Sequence, residues 1–315
     1  MIVALAGGVG GARLAVGLAS VLPPQRLTFV VNTGDDFEHL GFAISPDLDT
    51  VMYTLAGVGN AVTGWGRAQE TWNFMSALGQ LGGETWFRLG DRDLAVHVLR
   101  TLALRRGISL SEITRVLATR FGIKHPVIPM TDSPLRTRVR TDCGELAFQD
   151  YFVRRGCRPR VQGFRFAGSR KARAPSVLQR IMHSGEVRAA VICPSNPYVS
   201  IAPILSVPEI RHWMKRRTFP VIAVSPIVGG AALKGPAAKM MRELGAEPTA
   251  LGVVRHHGSS VDAWVIDQQD AKLQHAIERE GKVVIVTDTV MSDRGKSVQL
   301  AKRVVSFARA LASER

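Results

Sequence analysis

Three consecutive segments near the start constrain this chain more than any others: IVALA (2–6), AGGVGGAR (6–13) and, one helix later, LTFVVN (27–32). The two flanking runs are short, largely apolar and rich in β-branched residues. Runs of that kind are strands buried on both faces of a parallel sheet. Between them, Ala12 to Leu22 carries helical periodicity and stops at Pro23–Pro24, where a helix cannot continue. The opening unit is therefore strand, glycine loop, helix, strand. From residue 175 the alternation returns, with helical APSVLQRIMHSG, strand VRAAVICPSNP, helical VPEIRHWMKRR and strand PVIAVSPIVGG. DAWVID and KVVIVTD follow as strands, then a final helix over 294–312. Repeated units of this type predict an α/β fold with a doubly wound, mostly parallel sheet.

The middle of the chain reads differently. DRDLAVHVLRTLALRRG is helical and closed by Gly107, and SLSEITRVLATRFG is helical with Ser109 and Glu112 spaced as a capping box. RTRVRTDCGELAFQDYFVRR alternates as strands do, around a TDCG turn. These patterns divide the chain into a core over 1–60 and 170–315 and an inserted helical and small antiparallel region over 61–169.

Lys and Arg number 41 against 26 acidic residues, a formal net charge of +15. That excess favours an anionic partner, either nucleic acid or a phosphorylated small molecule, and a solvated surface bias is the alternative. Aromatic residues make up only 6% and the basic residues are scattered, so no base-stacking platform is present and nucleic acid is not the expected partner. The longest apolar runs fall well short of the ~20 residues of a membrane span, and the N-terminal run lacks the pattern of a secretory signal. Cys143, Cys157 and Cys193 show no CxxC spacing, which argues against a disulfide framework or a zinc ribbon. A cytoplasmic location is the expectation.

Three loops carry the residues capable of chemistry. In AGGVGGAR the glycines let backbone amides approach a phosphate, and the following helix adds its positive N-terminal end. No Lys-Ser/Thr pair follows, so this is not a Walker A loop, and a plain tight turn would use the same glycines. CPSNPYVSI and AVSPIVGGAALKGPAAKMM each run from a strand into Ser, Pro, Asn and Gly. Open α/β sheets bind ligands at the carboxyl ends of their strands. Gly8, Gly10, Gly11, Ser195, Asn196, Ser225, Gly229 and Lys234 are therefore the candidate nucleotide and phosphate contacts.

NTGDDFEHLGFAISPDLDT delivers Asp35, Asp36, Asp47 and Asp49 to the same rim. Magnesium takes one or two carboxylates together with substrate phosphates, and solvated loop acids are the alternative. Asp49 precedes the helix-like run TVMYTLAG, where a helix N-terminus would hold an ionised carboxylate of low pKa. An N-cap role is the alternative reading. WFRLGDRDLAVH gathers Arg88, Asp91, Arg92, Asp93 and His97; as a helix it would place Arg88 and Arg92 on one face, while Asp91 as a cap is the alternative.

These strings resemble the 2-phospho-L-lactate transferase family of coenzyme F-420 biosynthesis. The resemblance rests on GGVGGAR, NTGDDFEHLGFAISPDLDTVMYTLAG, GWG, ETW, WFRLGDRDLA, PMTDSP, CPSNPYVSI and AVSPIVGGAALKGPAAKMM, in order from residue 2 to about 245. It implies a Rossmann-like fold, a Mg2+-dependent transfer and a homodimer. It implies that the terminal ribityl hydroxyl of the deazaflavin Fo (7,8-didemethyl-8-hydroxy-5-deazariboflavin) attacks a guanosine-diphosphate-activated three-carbon acid. Phospholactate, or its enolpyruvyl or glyceryl analogue, moves to Fo and GMP leaves.

Carried over residue by residue, the resemblance makes Asp49, Arg88 or Arg92, and Asp91 the Fo contacts. Asp36 and Asp49 become the catalytic acids, and Asp35, Asp36 and Asp49 the magnesium side. PSNP and SPIVGG would hold the guanosine diphosphate moiety, so the core binds nucleotide and the 61–169 region binds substrate. Ser45 stands where many relatives have Cys, and TDSP departs from a paired Asp, so Ser133 is given no metal role. A regulatory nucleotide-binding protein of the same fold is the alternative. GWG, ETW and LGDRD together argue against it, because a nucleotide sensor does not require them.

Overall fold

The structure, a computed structural model, describes residues 1–313. Seven strands form the central sheet in the spatial order Val283–Thr287, Ala263–Asp267, Val221–Val224, Ala189–Ile192, Ile2–Ala6, Leu27–Val31 and Val127–Pro129. Every neighbouring pair in it runs parallel, as the buried apolar runs predict. The chain starts in the middle and builds outward to Val127–Pro129. It then returns to the other side of Ile2–Ala6 and builds outward again. The reversal places the topological switch point between Ile2–Ala6 and Ala189–Ile192, where open α/β sheets form a binding crevice.

Strand alternation splits the interior into two cores. Ile2, Ala4 and Ala6 face one layer, while Val3 and Leu5 face the other. The first layer contains helices Gly8–Val21, Pro46–Leu55 and Arg294–Ser313. A Cβ on Gly17 would collide with the Ser297 backbone carbonyl, so this glycine lets the first and last helices meet backbone to backbone. The second layer holds helices Ala237–Glu243 and Ala250–His257 and the antiparallel sheet of Gly144–Ala147, Arg136–Thr141 and Val161–Ala167. Thr141 and Gly144 pair across the TDCG turn.

The helix expected over 12–22 begins earlier, at Gly8, and ends at Val21 ahead of the prolines. Helix Leu110–Arg120 is capped by Ser109, whose hydroxyl accepts from the Glu112 amide at 3.3 Å. Within residues 61–169, Val127–Pro129 pairs with Leu27–Val31, so this stretch supplies the edge strand of the central sheet. No helix among the described residues is long and apolar enough to cross a membrane.

Candidate active site

At the switch point the glycine loop and the loop after Ala189–Ile192 interlock. Ser195 Oγ donates to the Gly7 carbonyl at 2.8 Å and accepts from the Gly7 amide at 3.2 Å. A Cβ on Gly10 would collide with the Pro194 carbonyl, and one on Gly11 would lie 2.6 Å from Ser195 Oγ. Gly8 has a φ of +62°, which glycine tolerates without a Cβ clash, and its amide donates to Asp47 Oδ1 at 2.7 Å.

That last contact ties the glycine loop to a buried carboxylate cluster. Asn32, at the end of Leu27–Val31, donates through Nδ2 to Asp35 Oδ1 at 3.0 Å and to Asp47 Oδ2 at 2.9 Å. Ser45 donates to Asp36 Oδ2 at 2.8 Å, while Asp36 Oδ1 is buried with no hydrogen-bond partner. Burial, joined by repulsion from Asp47 and Asp36, raises the Asp35 carboxyl well above the ordinary range. Burial raises Asp36 to about 7 and Asp47 to about 6, against the lowering effects of Arg136 on Asp36 and of Asn32 and the Gly8 amide on Asp47. The cluster is rich in oxygen and short of positive charge.

A second buried network adjoins it. Helix Asp91–Arg105 presents Asp93, His97 and Arg100 at i, i+4 and i+7, one face of the helix. Arg100 grips both oxygens of Asp49, donating from Nη1 to Oδ2 at 3.0 Å and from Nη2 to Oδ1. His97 Nδ1 lies 3.8 Å from Asp49 Oδ2, and His97 Nε2 lies 3.4 Å from Asp93 Oδ1. Tyr53 donates to the same Asp93 oxygen at 2.5 Å. Burial acts to raise Asp93, but its contacts with His97, Tyr53 and Arg100 outweigh burial and hold it below the ordinary range.

Asp93 leads from this network to a small surface pocket, which it lines with Asn60, Trp65, Arg67, Glu70 and Trp72. Arg88 stacks on one wall, its guanidinium carbon 4.1 Å from the Trp72 ring centroid.

The amino-acid sequence matches the family model described as 2-phospho-L-lactate transferase CofD over residues 2–305. The chain belongs to the 2-phospho-L-lactate transferase family. Members of this family are transferase enzymes. The chain is 40% identical over 314 residues to a phosphoenolpyruvate transferase of Streptomyces coelicolor, covering 98% of both proteins. It is equally, 40%, identical over 304 residues to a 2-phospho-L-lactate transferase of Methanosarcina acetivorans, covering 96% of this chain and 97% of that relative. A solved UPF0052 family protein from Bacillus halodurans aligns with a TM-score of 0.61 at 11% identity, over 96% of this chain and 98% of that one. At that identity the likeness shows the fold alone.

In this 2-phospho-L-lactate transferase family member, the expected nucleotide-contact residues divide by their hydrogen bonds. Gly8, Gly10, Gly11 and Ser195 meet at the switch point. Asn196 is engaged as a cap, accepting from the Tyr198 amide at 2.9 Å. Ser225 is engaged in its own turn, donating to the Ile227 carbonyl at 2.9 Å, and the Gly229 amide donates to Asp270 at 3.1 Å. Lys234 reaches the Val62 and Thr63 carbonyls at 3.3 and 3.0 Å, holding loop 60–66 near the glycine loop.

Three expectations about the acidic and basic residues change. Arg88 and Arg92 do not share a helix face, because the helix starts at Asp91. Asp91 is occupied at the start of helix Asn73–Gln80, accepting from the Asn73 amide at 3.0 Å, the Phe74 amide at 3.1 Å and the Thr71 hydroxyl at 2.6 Å. Asp49 is neither an N-cap nor a carboxylate of low pKa. Ser45 occupies the cap position, and burial raises the Asp49 carboxyl despite Arg100 and His97. Asn32, Tyr53 and Arg100 were not expected in the site at all. The i, i+4, i+7 spacing of Asp93, His97 and Arg100 is the signal that could have found the last of them.

Proposed function

We propose that this protein moves a phospho-three-carbon-acid group from its guanosine-diphosphate-activated form to the terminal hydroxyl of Fo and releases GMP. One observation carries the reading: the glycine loop is joined to the buried carboxylate cluster at the switch point, through the 2.7 Å contact from the Gly8 amide to Asp47. Backbone amides for phosphate oxygens and carboxylates for a cation are the parts phosphoryl transfer uses, because its catalysis is mostly positioning and charge neutralisation.

The carboxylate cluster offers oxygen ligands of the kind magnesium takes. Asp36 Oδ1 is buried without a hydrogen-bond partner, and burial raises the carboxyls of Asp35, Asp36 and Asp47, with repulsion from Asp47 and Asp36 adding to it at Asp35, so a bound cation would stabilise their charged forms. Asp35, Asp36 and Asp47 would hold Mg2+, which when bound neutralises phosphate charge. Among the described residues, Asp49, Asp93 and His97 are the group of three that brings its ligand atoms within 4.8 Å of one another, so Mg2+ at the Asp35–Asp36–Asp47 cluster would take one or two of that cluster's carboxylates together with substrate phosphates. The group of Asp49, Asp93 and His97 fits magnesium less well, since Arg100 already occupies Asp49 and a hard cation prefers oxygen to imidazole.

In the reaction, the Fo hydroxyl oxygen bonds to the phosphorus that carries the three-carbon acid. The phosphoanhydride bond to GMP breaks, GMP leaves with the electron pair, and the hydroxyl proton is released. The Val9 and Gly10 amides, in the first turn of helix Gly8–Val21, orient the diphosphate, while the Gly8 amide holds Asp47. Trp65, Trp72 and Arg88 bind the flat acceptor beside Asp93. Asp49 acts through Arg100, fixing helix Asp91–Arg105 against helix Pro46–Leu55 so that both halves of the site keep their spacing.

The two relatives named for different acids are equally similar to this chain, so overall identity does not rank the donors. The test is turnover of purified protein with Fo, Mg2+ and each of the three activated acids, read by product mass. Product from at least one donor, with GMP in equal amount, is expected. Guanine nucleotide binding with no Fo binding and no product would overturn the proposal in favour of a regulatory protein.

A further inference from the structure

We propose a second ligand site, for an organic anion bearing a flat ring, in the groove between helices Ser176–His183 and Pro208–Lys215. The groove has a volume of about 770 Å³. Small-molecule pockets span roughly 300–1,000 Å³. Val187 and Phe219, which line it, precede strands Ala189–Ile192 and Val221–Val224. The groove therefore opens at the amino ends of the sheet, opposite the switch-point site, and the transfer reaction makes no use of it.

Its chemistry selects the ligand class. Trp213 packs on Phe219 with ring centroids 5.0 Å apart and stays partly exposed, leaving an aromatic surface on the groove. Arg173, Arg216, His183 and His212 face a single carboxylate, Glu209. That carboxylate is already used, accepting from the Ala174 amide at 2.6 Å and standing 3.6 Å from Arg173. Arg217 is used as well, donating to the Met214 carbonyl at 2.6 Å and pairing with Asp262 at 3.0 Å. Arg216 is exposed and makes no ion pair among the described residues. A basic surface alone would say little in a chain of net charge +15. A free guanidinium three residues from a half-buried tryptophan, on the wall of a sizeable groove, favours an anion that also stacks. Inorganic phosphate satisfies only half of that arrangement.

The probe is anilinonaphthalene sulfonate, titrated by fluorescence into the full chain with excess GDP present. The proposal expects Trp213→Leu and Arg216→Glu each to weaken binding on the order of tenfold or more, the scale of a lost charge-assisted or aromatic contact. Arg303→Glu, an exposed charge reversal on the C-terminal helix, is expected to leave binding unchanged, and inorganic phosphate is not expected to compete. Equal weakening by Arg303→Glu would mark general charge attraction and overturn the site. So would unchanged binding in both groove variants, or loss in only one of them. Melting curves of the variants separate lost binding from lost folding.

Discussion

Arg100 and Asp49 form a closed pair inside the protein: the guanidinium is 1% exposed, the carboxylate residue 4%, and both carboxylate oxygens are engaged. The pair joins the helix that carries the acids to the helix that carries Asp93 and His97. Breaking a buried pair by removing one partner costs about 3–5 kcal/mol, because the other charge is left uncompensated. Asp49→Asn should therefore lower stability as well as turnover. The double variant Asp49→Asn with Arg100→Met should regain most of the stability without regaining turnover. Urea denaturation of the two single variants and the double variant measures the coupling. Additive losses would show that the two residues are not an energetic unit.

The carboxylate cluster predicts an unusual pH dependence for the metal-free protein. Asp36 and Asp47 are raised in the folded state to about 7 and about 6 from the ordinary 3.8. The folded protein then binds more protons than the unfolded chain between those values. The stability these groups contribute is present at low pH and is lost as pH rises through about 4 to 7. Asp36→Asn removes one such group. In chelator at pH 8 it should be at least as stable as the parent, with a difference of up to a few kcal/mol that vanishes near pH 4. Magnesium should stabilise the parent at pH 8 more than the variant. A variant less stable than the parent at pH 8 in chelator would show that burial does not disfavour the charged form.

Much of this architecture is legible in the sequence, and the reasons differ by element. The buried strands announce themselves because parallel strands covered on both sides must be apolar throughout, and IVALA, LTFVV and VIAV are almost wholly so. The rim follows from strand direction, so the glycine loop, Asp35, Asp36 and Ser195 could be grouped before any coordinates. Arg100 could not. It lies in LRTLALRR, which reads as a solvated helix end, and only the tertiary fold shows which face turns inward toward Asp49. The partners of Asp91 are hidden for a related reason: the resemblance makes it an Fo contact, and its carboxylate accepts from amides at the start of a helix eighteen residues earlier in the chain. Hydrogen-bond partners set by the tertiary fold have no local signature.

That distinction separates Arg88 from Asp91 experimentally. Arg88 is exposed and stacked on Trp72 beside the pocket, whereas all the hydrogen bonds of Asp91 are internal. Arg88→Ala should weaken Fo binding on the order of tenfold, with little change in melting temperature, since it removes one charged contact from the surface. Asp91→Ala should lower the melting temperature by loosening helix Asn73–Gln80. Any loss of Fo affinity in Asp91→Ala should be recovered by Asp91→Asn, which still accepts from the amides. Calorimetric titration with Fo and thermal melting of the three variants test this, and equal Fo losses in Asp91→Asn and Arg88→Ala would restore Asp91 as a direct contact.

Gly10 offers the sharpest test of where the nucleotide sits. A methyl group there would collide with the Pro194 carbonyl, and that carbonyl cannot easily retreat, because the adjacent Ser195 hydroxyl is bonded to Gly7 on both sides. Gly10→Ala should therefore push the glycine loop and the Pro194 loop apart. If GDP lies on those loops, a concentration one hundred times its dissociation constant adds about 2.7 kcal/mol to the parent. Most of that gain should disappear in Gly10→Ala. Gly57→Ala is the control: its φ is +70° and no atom stands within 4 Å of the added Cβ, so it introduces backbone strain of about 1–2 kcal/mol without touching the crevice. The control should lose intrinsic stability and keep the full GDP shift. A full GDP shift in Gly10→Ala would mean that the phosphates are bound elsewhere, and the assignment of the switch-point loop would fall with it.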